Sequence, residues 1–252
     1  MIRSLWVLLA ATWATFFHGG RAVLLSLFAD RPAAHYSYLT SLWAKTLLRA
    51  ARSPVVVHGG EHLRHGEAVI VVSNHVSWFD VFALASVLPW PFAFVAKKEL
   101  GRIPVFGAAF RAAGHLLIDR SNRERAIRSL RDAGEKMRRD GTAVVICPEG
   151  TRSRSGRLQP FKKGAFMLAV EAQVPIVPCV VVGSYDIMRP DSWTMHPNTI
   201  HLHLGPPISP AGYTAHTAEA LMERVRGAMV ATLERTEQLP PEDARLVSRA
   251  AS

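Results

Sequence analysis

The apolar positions at the N-terminus form an almost unbroken run. Residues 4–20, a stretch of 17, contain no Asp, Glu, Lys or Arg, and a second apolar stretch follows at residues 22–29. At about 1.5 Å per residue the first run gives a helix of roughly 25 Å, slightly shorter than the ~30 Å hydrocarbon core of a membrane. His18-Gly19-Gly20 is a typical helix stop, so the pattern predicts two short helices.

Residues 1–35 are open to four interpretations on these grounds: a cleaved signal peptide, a single transmembrane anchor, two short helices that dip into one leaflet, and an ordinary buried core helix. No clear small-x-small cleavage site follows the apolar run. Amphipathic aromatic side chains accumulate at the interface between a membrane and water. The apolar run contains several ring side chains that fit this depth: Trp6, Trp13, Phe16, Phe17 and His18. We therefore expect an N-terminal membrane-contact segment of hydrophobic helices.

Residues 36–237 show the pattern of one α/β domain. Valine-rich apolar runs predict strands at residues 55–57, 68–72, 92–96, 116–118, 143–146, 176–182 and 200–204. Helical spacing of apolar residues predicts helices at residues 36–51, 77–88, 122–139, 164–172 and 218–233. Uniformly apolar strands are typical of sheets covered on both faces. The fold class predicted is α/β, with a mostly parallel central sheet flanked by helices, and residues 238–252 are expected to form a flexible tail.

Composition limits the classes of function. The 252 residues include 30 Lys and Arg against 20 Asp and Glu, a net charge of +10, and 49% of them are hydrophobic. A disordered basic chain is excluded, because such chains are poor in apolar residues. Only two cysteines, Cys147 and Cys179, are present, so a disulfide-stapled secreted domain is excluded too. A basic, apolar chain fits either nucleic acid or an anionic membrane surface as its partner.

The most informative stretch follows the predicted strand 68–72. It reads Ser-Asn-His-Val-Ser-Trp-Phe-Asp and carries Asn74 and His75 into the loop at the strand's carboxyl end, where ligands bind in open α/β sheets. Ser77 and Asp80 have the spacing of a helix capping box. From the first turn of that helix, Asp80 can reach back to His75, which would hold the imidazole in one tautomer, as a general base requires. The alternative is that Asp80 only caps the helix.

Cations follow three further predicted strands. Lys97 ends one, Arg120 follows the next, and Arg152 lies in the sequence Pro-Glu-Gly-Thr-Arg-Ser after a third. If these strands are neighbours, the three cations lie near His75. Arginine binds phosphate through two hydrogen bonds and lysine supplies a point charge, although each cation taken singly is explained by a solvated loop.

Four sequence blocks in order identify a resemblance. The chain resembles the glycerolipid acyltransferase family, in particular the bacterial lysophosphatidic acid acyltransferases. The blocks are His-x4-Asp within residues 74–80, the segment 97–107, Pro-Glu-Gly-Thr-Arg-Ser at 148–153, and Val-Pro-Ile-Val-Pro at 174–178. Weaker similarity extends over residues 36–210. Cys147 stands where the family usually has phenylalanine.

The resemblance implies a role for each site residue. His75 is expected to remove the proton from the sn-2 hydroxyl of a lysophosphatidate, oriented by Asp80, and no acyl-enzyme forms. Lys97, or the backbone amides near it, is expected to stabilise the oxyanion, and Arg120 and Arg152 are expected near the acceptor phosphate. The remaining substrate-binding candidates are Asn74, Glu149, Gly150 and Thr151, with Glu149 either on the glycerol or ordering its loop. Acyl-CoA or acyl-carrier protein is expected as the acyl donor, with no other cofactor.

Other chemistries are not supported by motifs. The chain has neither a Cys-x-x-Cys pair nor a His-Glu-x-x-His sequence, so no metal ligands are predicted at this site. Gly-x-Ser-x-Gly and Walker sequences are also missing. Two alternatives stay open: transfer to another lysolipid, and a basic lipid- or nucleic-acid-binding protein without catalysis. The expected partner is an anionic membrane surface rather than nucleic acid, at the cytoplasmic side of a bacterial inner membrane, with the oligomeric state open.

Overall fold

A computed structural model of the chain describes residues 2–28, 33–89, 91–119, 134, 135 and 137–238, with side chains up to residue 236. The first element is a continuous helical stretch that consists of α1 (Ile2–Ala14), a π-helical turn (Thr15–Gly19) and α2 (Gly20–Phe28). The predicted stop at Gly19-Gly20 is wrong, because Gly20 adopts helical φ −58° and ψ −42°. Glycine permits many conformations, so neighbouring packing decides between them.

The N-terminal stretch is docked on the domain through α3 (Ala33–Ala51). Two hydrogen bonds fix it there: Trp43 Nε1 donates to Thr15 Oγ1 at 3.1 Å, and the backbone N–H of Met195 donates to Ser4 Oγ at 3.0 Å. Val7 and Ala14 are buried in the same contact. Ile2–Phe28, 27 residues long, meets the length and apolarity of a membrane span, a test that core helices and signal sequences also meet.

Seven strands form one sheet, in the order β1-β7-β6-β2-β5-β3-β4. They are β1 (Val55–His58), β2 (Val69–Ser73), β3 (Phe92–Lys97), β4 (Leu116–Ile118), β5 (Ala143–Ile146), β6 (Ile176–Val182) and β7 (Ile200–Leu204). All neighbouring strands are parallel except β6 and β7, which pair antiparallel. The predicted class, a mostly parallel α/β sheet flanked by helices, is confirmed.

Five further helices with described bounds cover the sheet and its edges, and residues 134, 135 and 137–140 are helical as well. The five are α4 (Trp78–Val87), α5 (Phe106–Ala112), α6 (Gly164–Ala172), α7 (Ser184–Ile187) and α8 (Ala218–Gln238). The sequence analysis did not predict α5 and α7, which are too short to show a helical period. Of the predicted helix 122–139, residues 122–133 and 136 lie outside the described part of the chain, and so does the tail from residue 239.

Two apolar cores lie on opposite faces of the sheet. One contains Leu47 and Leu48 of α3, Phe79 and Leu84 of α4, and alternate residues of the central strands. The other packs α6 and α8 against the opposite face. β2 is buried at every position because both faces are covered. The carboxyl end of this central strand is therefore held from both sides.

Candidate active site

The turn after β2 places an acid beside the histidine. Ser77 is the N-cap of α4 and forms a capping box with Asp80, the third residue of that helix. The carboxylate reaches back, and Asp80 Oδ2 lies 2.9 Å from His75 Nδ1. The contact that the spacing predicted is thus present in the structure. His75 is half-buried, whereas Asp80 is fully buried.

Asp80 is held by donors on both carboxylate oxygens. Oδ2 also accepts the backbone N–H groups of Val76 at 2.7 Å and of Ser77 at 2.9 Å. Oδ1 accepts a hydrogen bond from the hydroxyl of Ser184, at the start of α7. These donors stabilise the negative charge and fix its orientation, because a buried carboxylate needs hydrogen bonds to offset desolvation. A carboxylate only accepts hydrogen bonds, so the His75–Asp80 hydrogen bond places a proton on Nδ1 and leaves Nε2 facing away from Asp80.

The loop after β5 is joined to the histidine turn by its backbone. β5 is the neighbour of β2, so residues 147–153 lie beside His75. Glu149 accepts two backbone N–H groups: that of His75 on Oε1 at 2.9 Å and that of Gln159 on Oε2 at 3.2 Å. The backbone N–H of Ser153 donates to the His75 carbonyl at 2.7 Å. Burial raises the pKa of the Glu149 carboxyl, although these hydrogen bonds act in the opposite direction. The contacts of Glu149 are those of a residue that orders its loop.

Asn74 is directed away from the histidine. Its side-chain amide donates to the Val181 carbonyl at 3.0 Å, and its oxygen accepts the Val181 N–H at 2.7 Å. This paired contact joins the end of β2 to β6. Asn74 is buried and does not line the cavity described below, so its contacts position the turn and give no support to the predicted substrate contact.

Two of the predicted cations lie at the site. The guanidinium of Arg152 stacks over the exposed Trp78 ring, 5.1 Å from its centroid, and burial lowers its pKa from the ordinary value. Lys97 ends β3 with an exposed side chain and lines the same cavity as His75. Arg120 lies outside the described residues.

A cavity of about 530 Å³ opens at His75 and continues between the helices. Gly150, Thr151 and Arg152 line its mouth, and Gly150 adopts a positive φ of 77° in the turn. Its wall is mainly apolar and includes Trp43, Phe82, Leu100, Ile103, Phe106 and Phe110. The π-helical turn and α2 supply a further wall through Thr15, His18, Gly19 and Ala22. The N-terminal segment therefore forms part of the cavity as well as an apolar surface.

A close contact between two glycines shapes the rim of this cavity. Gly107, at the start of α5, packs against the backbone of Gly101 in the short 3-10 helix Lys98–Arg102. A Cβ on Gly107 would lie 2.2 Å from the Gly101 carbonyl oxygen, so only glycine fits there. The two loop glycines of segment 97–107 thus allow α5 to close on the cavity.

Comparison with known proteins places these features in one family. The sequence model of the family described as Acyltransferase matches residues 54–182, just over half of the chain. The chain belongs to the acyltransferase family. Residues 54–182 include the His75–Asp80 turn, Lys97 and the loop of Arg152, so the family match covers these parts of the candidate site. The resemblance stated from the sequence blocks is confirmed.

Relatives of this acyltransferase chain carry the name 1-acyl-sn-glycerol-3-phosphate acyltransferase. The protein of that name from Limnanthes douglasii is 34% identical over 180 residues, 71% of this chain and 63% of the relative. The one from Saccharomyces cerevisiae is 31% identical over 235 residues, 92% of this chain and 77% of the relative. The match thus spans less than two thirds of the Limnanthes protein.

A solved structure shares the fold. It is the crystal structure of the 1-acyl-sn-glycerophosphate (LPA) acyltransferase PlsC from Thermotoga maritima, with a TM-score of 0.80 and 28% identity. The similarity covers 95% of this chain and 96% of that one. The N-terminal helices of this acyltransferase are therefore largely within the shared fold.

Two residues of the site were not predicted as functional. Ser184 donates to Asp80 from 104 positions away, and no local spacing connects them. Trp78 lies inside the histidine block, but its stacking on Arg152 depends on the loop after β5. Only the pairing of β2 with β5 and β6 brings these groups together.

Proposed function

We propose that the protein transfers an acyl chain from an acyl thioester to the sn-2 hydroxyl of a lysophosphatidate, giving phosphatidate. The observation that carries the proposal is the His75–Asp80 contact at the mouth of a mainly apolar cavity. Family membership and the names of the relatives support the same activity. The acyl donor is acyl-CoA or acyl-carrier protein.

His75 acts as the general base in this proposal. Its Nε2 takes the proton of the sn-2 hydroxyl while the oxygen attacks the thioester carbonyl carbon. Asp80, fixed by its own donors, stabilises the imidazolium that results. The tetrahedral intermediate then expels the thiolate, which takes the proton from His75 and leaves as a free thiol. One C–O bond forms and one C–S bond breaks, without an acyl-enzyme.

The cations of the rim serve the two anionic centres of the reaction. Arg152 is proposed to bind the acceptor phosphate, because its plane is already held by Trp78 and a guanidinium binds phosphate with paired hydrogen bonds. Lys97, at the same rim, is proposed to stabilise the oxyanion. The part of Arg120 in phosphate binding stays a prediction from the sequence.

The apolar cavity is proposed to take the acyl chain of the donor. Its volume lies within the ~300–1,000 Å³ of ordinary small-molecule sites. Its wall is built from α3, α4, α5 and the N-terminal helices, so the cavity adjoins the segment proposed to contact the membrane.

The exposed face of the N-terminal stretch is proposed to rest in one leaflet of an anionic membrane. Large apolar side chains are exposed on that face, including Leu5, Trp6, Leu9, Trp13, Phe16 and Leu27. The opposite face is docked on α3 and α5, so the helix lies against the domain. The +10 net charge favours an anionic surface, and we place the protein at the cytoplasmic face of a bacterial inner membrane.

An acyl-transfer assay tests the activity. Purified protein is offered lysophosphatidate and a panel of other lysolipids, with acyl-CoA or acyl-carrier protein as donor, and free thiol and product lipid are measured. We expect lysophosphatidate to be preferred and His75→Ala to remove the activity. His65→Ala, an exposed loop histidine, is the matched control. An active His75→Ala protein would contradict the mechanism, and a preference for another lysolipid would contradict the acceptor.

Flotation with liposomes tests the membrane surface. The combined variant Trp6→Gln, Leu9→Gln and Trp13→Gln changes exposed residues and leaves the docked face intact. We expect it to lose binding to vesicles that contain anionic lipid. The control combines Arg64→Gln and Glu67→Gln, at exposed positions elsewhere, and leaves the net charge unchanged. Equal binding by the apolar variant and the wild type would refute the assignment.

A further inference from the structure

Three histidines lie together on one face of the sheet, away from the cavity. His201 and His203 are alternate residues of β7, so their side chains point to the same face. His58 ends the neighbouring edge strand β1 and pairs in register with His203. None of the three lines the cavity of His75. The period of two and the strand register together place all three imidazoles side by side.

The nitrogens of this cluster are close enough to share one ion. His58 Nε2 lies 3.2 Å from His201 Nδ1, and one ligand nitrogen from each ring falls within 4.8 Å of the others. Two ligands at the ~2.0–2.1 Å of a Zn–N bond stand roughly 3.3 Å apart in a tetrahedron. The first pair shares a hydrogen bond in this structure, and its separation is already the one that a tetrahedral ion requires.

The third ring needs a rotation to join that pair. The rings of His58 and His203 are parallel, with centroids 4.3 Å apart and 4° between their planes, so their lone pairs do not yet converge. All three side chains are half-buried, so their rings are partly accessible. The terminal torsion of histidine is broad, and rotation about it changes the direction of a ring's lone pair.

The surroundings of the cluster favour uncharged imidazoles. Burial lowers the pKa of His58 and His201, and lowers the pKa of His203 to about 4, where the other two histidines and Arg235 act in the same direction. The uncharged imidazole is the form that coordinates a metal, so these surroundings agree with the site that the geometry indicates. The nearby cation is Arg235 of α8, whose guanidinium bonds to Thr232 Oγ1 at 3.1 Å.

We propose that His58, His201 and His203 form a binding site for one borderline divalent cation, best suited to Zn²⁺, with the fourth position open to water. Three imidazoles suit zinc and other first-row divalent ions, and they select against Mg²⁺ and Ca²⁺, which prefer oxygen ligands. The ion would join edge strand β1 to β7. Its effect is on the stability of this edge and not on the acyl transfer at His75.

Metal titration of the full-length protein tests the site. The protein is purified in detergent without a polyhistidine tag, stripped with a chelator and titrated with Co²⁺ as a spectroscopic probe, and then with Zn²⁺. We expect one equivalent of Co²⁺ to give the visible absorption of a tetrahedral complex, Zn²⁺ to displace it, and Zn²⁺ to raise the melting temperature. Mg²⁺ should do neither.

Single substitutions locate the binding. His201→Gln and His203→Gln should each weaken Zn²⁺ binding by at least about tenfold. Loss of a residue that only hydrogen-bonds a metal ligand already weakens affinity by about that factor, and loss of a ligand should weaken it at least as much. His216→Gln, at an exposed histidine outside the cluster, is the matched control and should bind as the wild type does. Failure of the wild-type protein to bind Co²⁺ or Zn²⁺ would overturn the proposal, whatever the folding of the variants. Binding unchanged in folded His201→Gln and His203→Gln proteins would overturn it as well.

Discussion

Replacing Asp80 with asparagine separates the charge of this residue from its shape. In Asp80→Asn the amide oxygen can keep the position of Oδ2 and its three donors, on His75, Val76 and Ser77. The amide nitrogen then faces Ser184, whose hydroxyl can turn to accept a hydrogen bond. We therefore expect the variant to fold and to lose chiefly the negative charge beside the imidazole.

The size of the loss follows from the position of that charge. Two unit charges about 4 Å apart interact by about 4 kcal/mol at an effective dielectric constant of about 20. Asp80 is fully buried and the His75 side chain is only 18% exposed, so solvent screens the pair little. At 1.36 kcal/mol for each factor of ten, kcat/KM should fall roughly a thousandfold. This lies within the ~10²–10⁴-fold range of a positioned general base.

The assay follows thiol release from acyl-CoA with lysophosphatidate as acceptor in mixed micelles. Asp186→Asn is the matched control: it removes an exposed carboxylate from the same helix as Ser184 and should leave the rate unchanged. Melting temperatures of both variants show whether the fold is kept. A folded Asp80→Asn protein within about tenfold of wild-type activity would refute the reasoning, since this is less than a general base contributes.

Three further substitutions test other parts of the molecule. Ser184→Ala removes one donor from Asp80, and we expect kcat to fall about tenfold, the effect of one hydrogen bond to a charged group, with KM unchanged. Arg152→Lys keeps the charge but loses the planar guanidinium over Trp78, so KM for lysophosphatidate should rise about tenfold. An unchanged KM would contradict phosphate binding by Arg152. Burial lowers the pKa of His115 to about 3, so protonation of this histidine favours the unfolded chain. Its contribution to the free energy of unfolding should therefore be fully present above pH ~6.5 and decrease as the pH falls toward 3. This histidine alone should lower the free energy of unfolding by about 2 kcal/mol between pH 7 and 5, and His115→Gln should flatten the dependence measured by urea unfolding.

The fold followed from the sequence where the signal was local. Valine-rich runs located the seven strands to within one or two residues, because strands buried on both faces are uniformly apolar. Two short helices, α5 and α7, were missed, since fewer than two turns show no period. The stop predicted at Gly19-Gly20 was wrong because packing on α3 and α5 keeps these glycines helical.

The sequence by itself determined which groups are able to meet across the turn after β2. The capping-box spacing allowed Asp80 to reach back to His75 and left open that it only caps the helix, and the structure contains both the cap and the contact. The tertiary structure decided everything that joins distant segments: the hydroxyl of Ser184 on Asp80, the stacking of Trp78 on Arg152, and the N-terminal helices as a wall of the cavity. Strand order and register set those neighbours, and neither is encoded in any local spacing of residues.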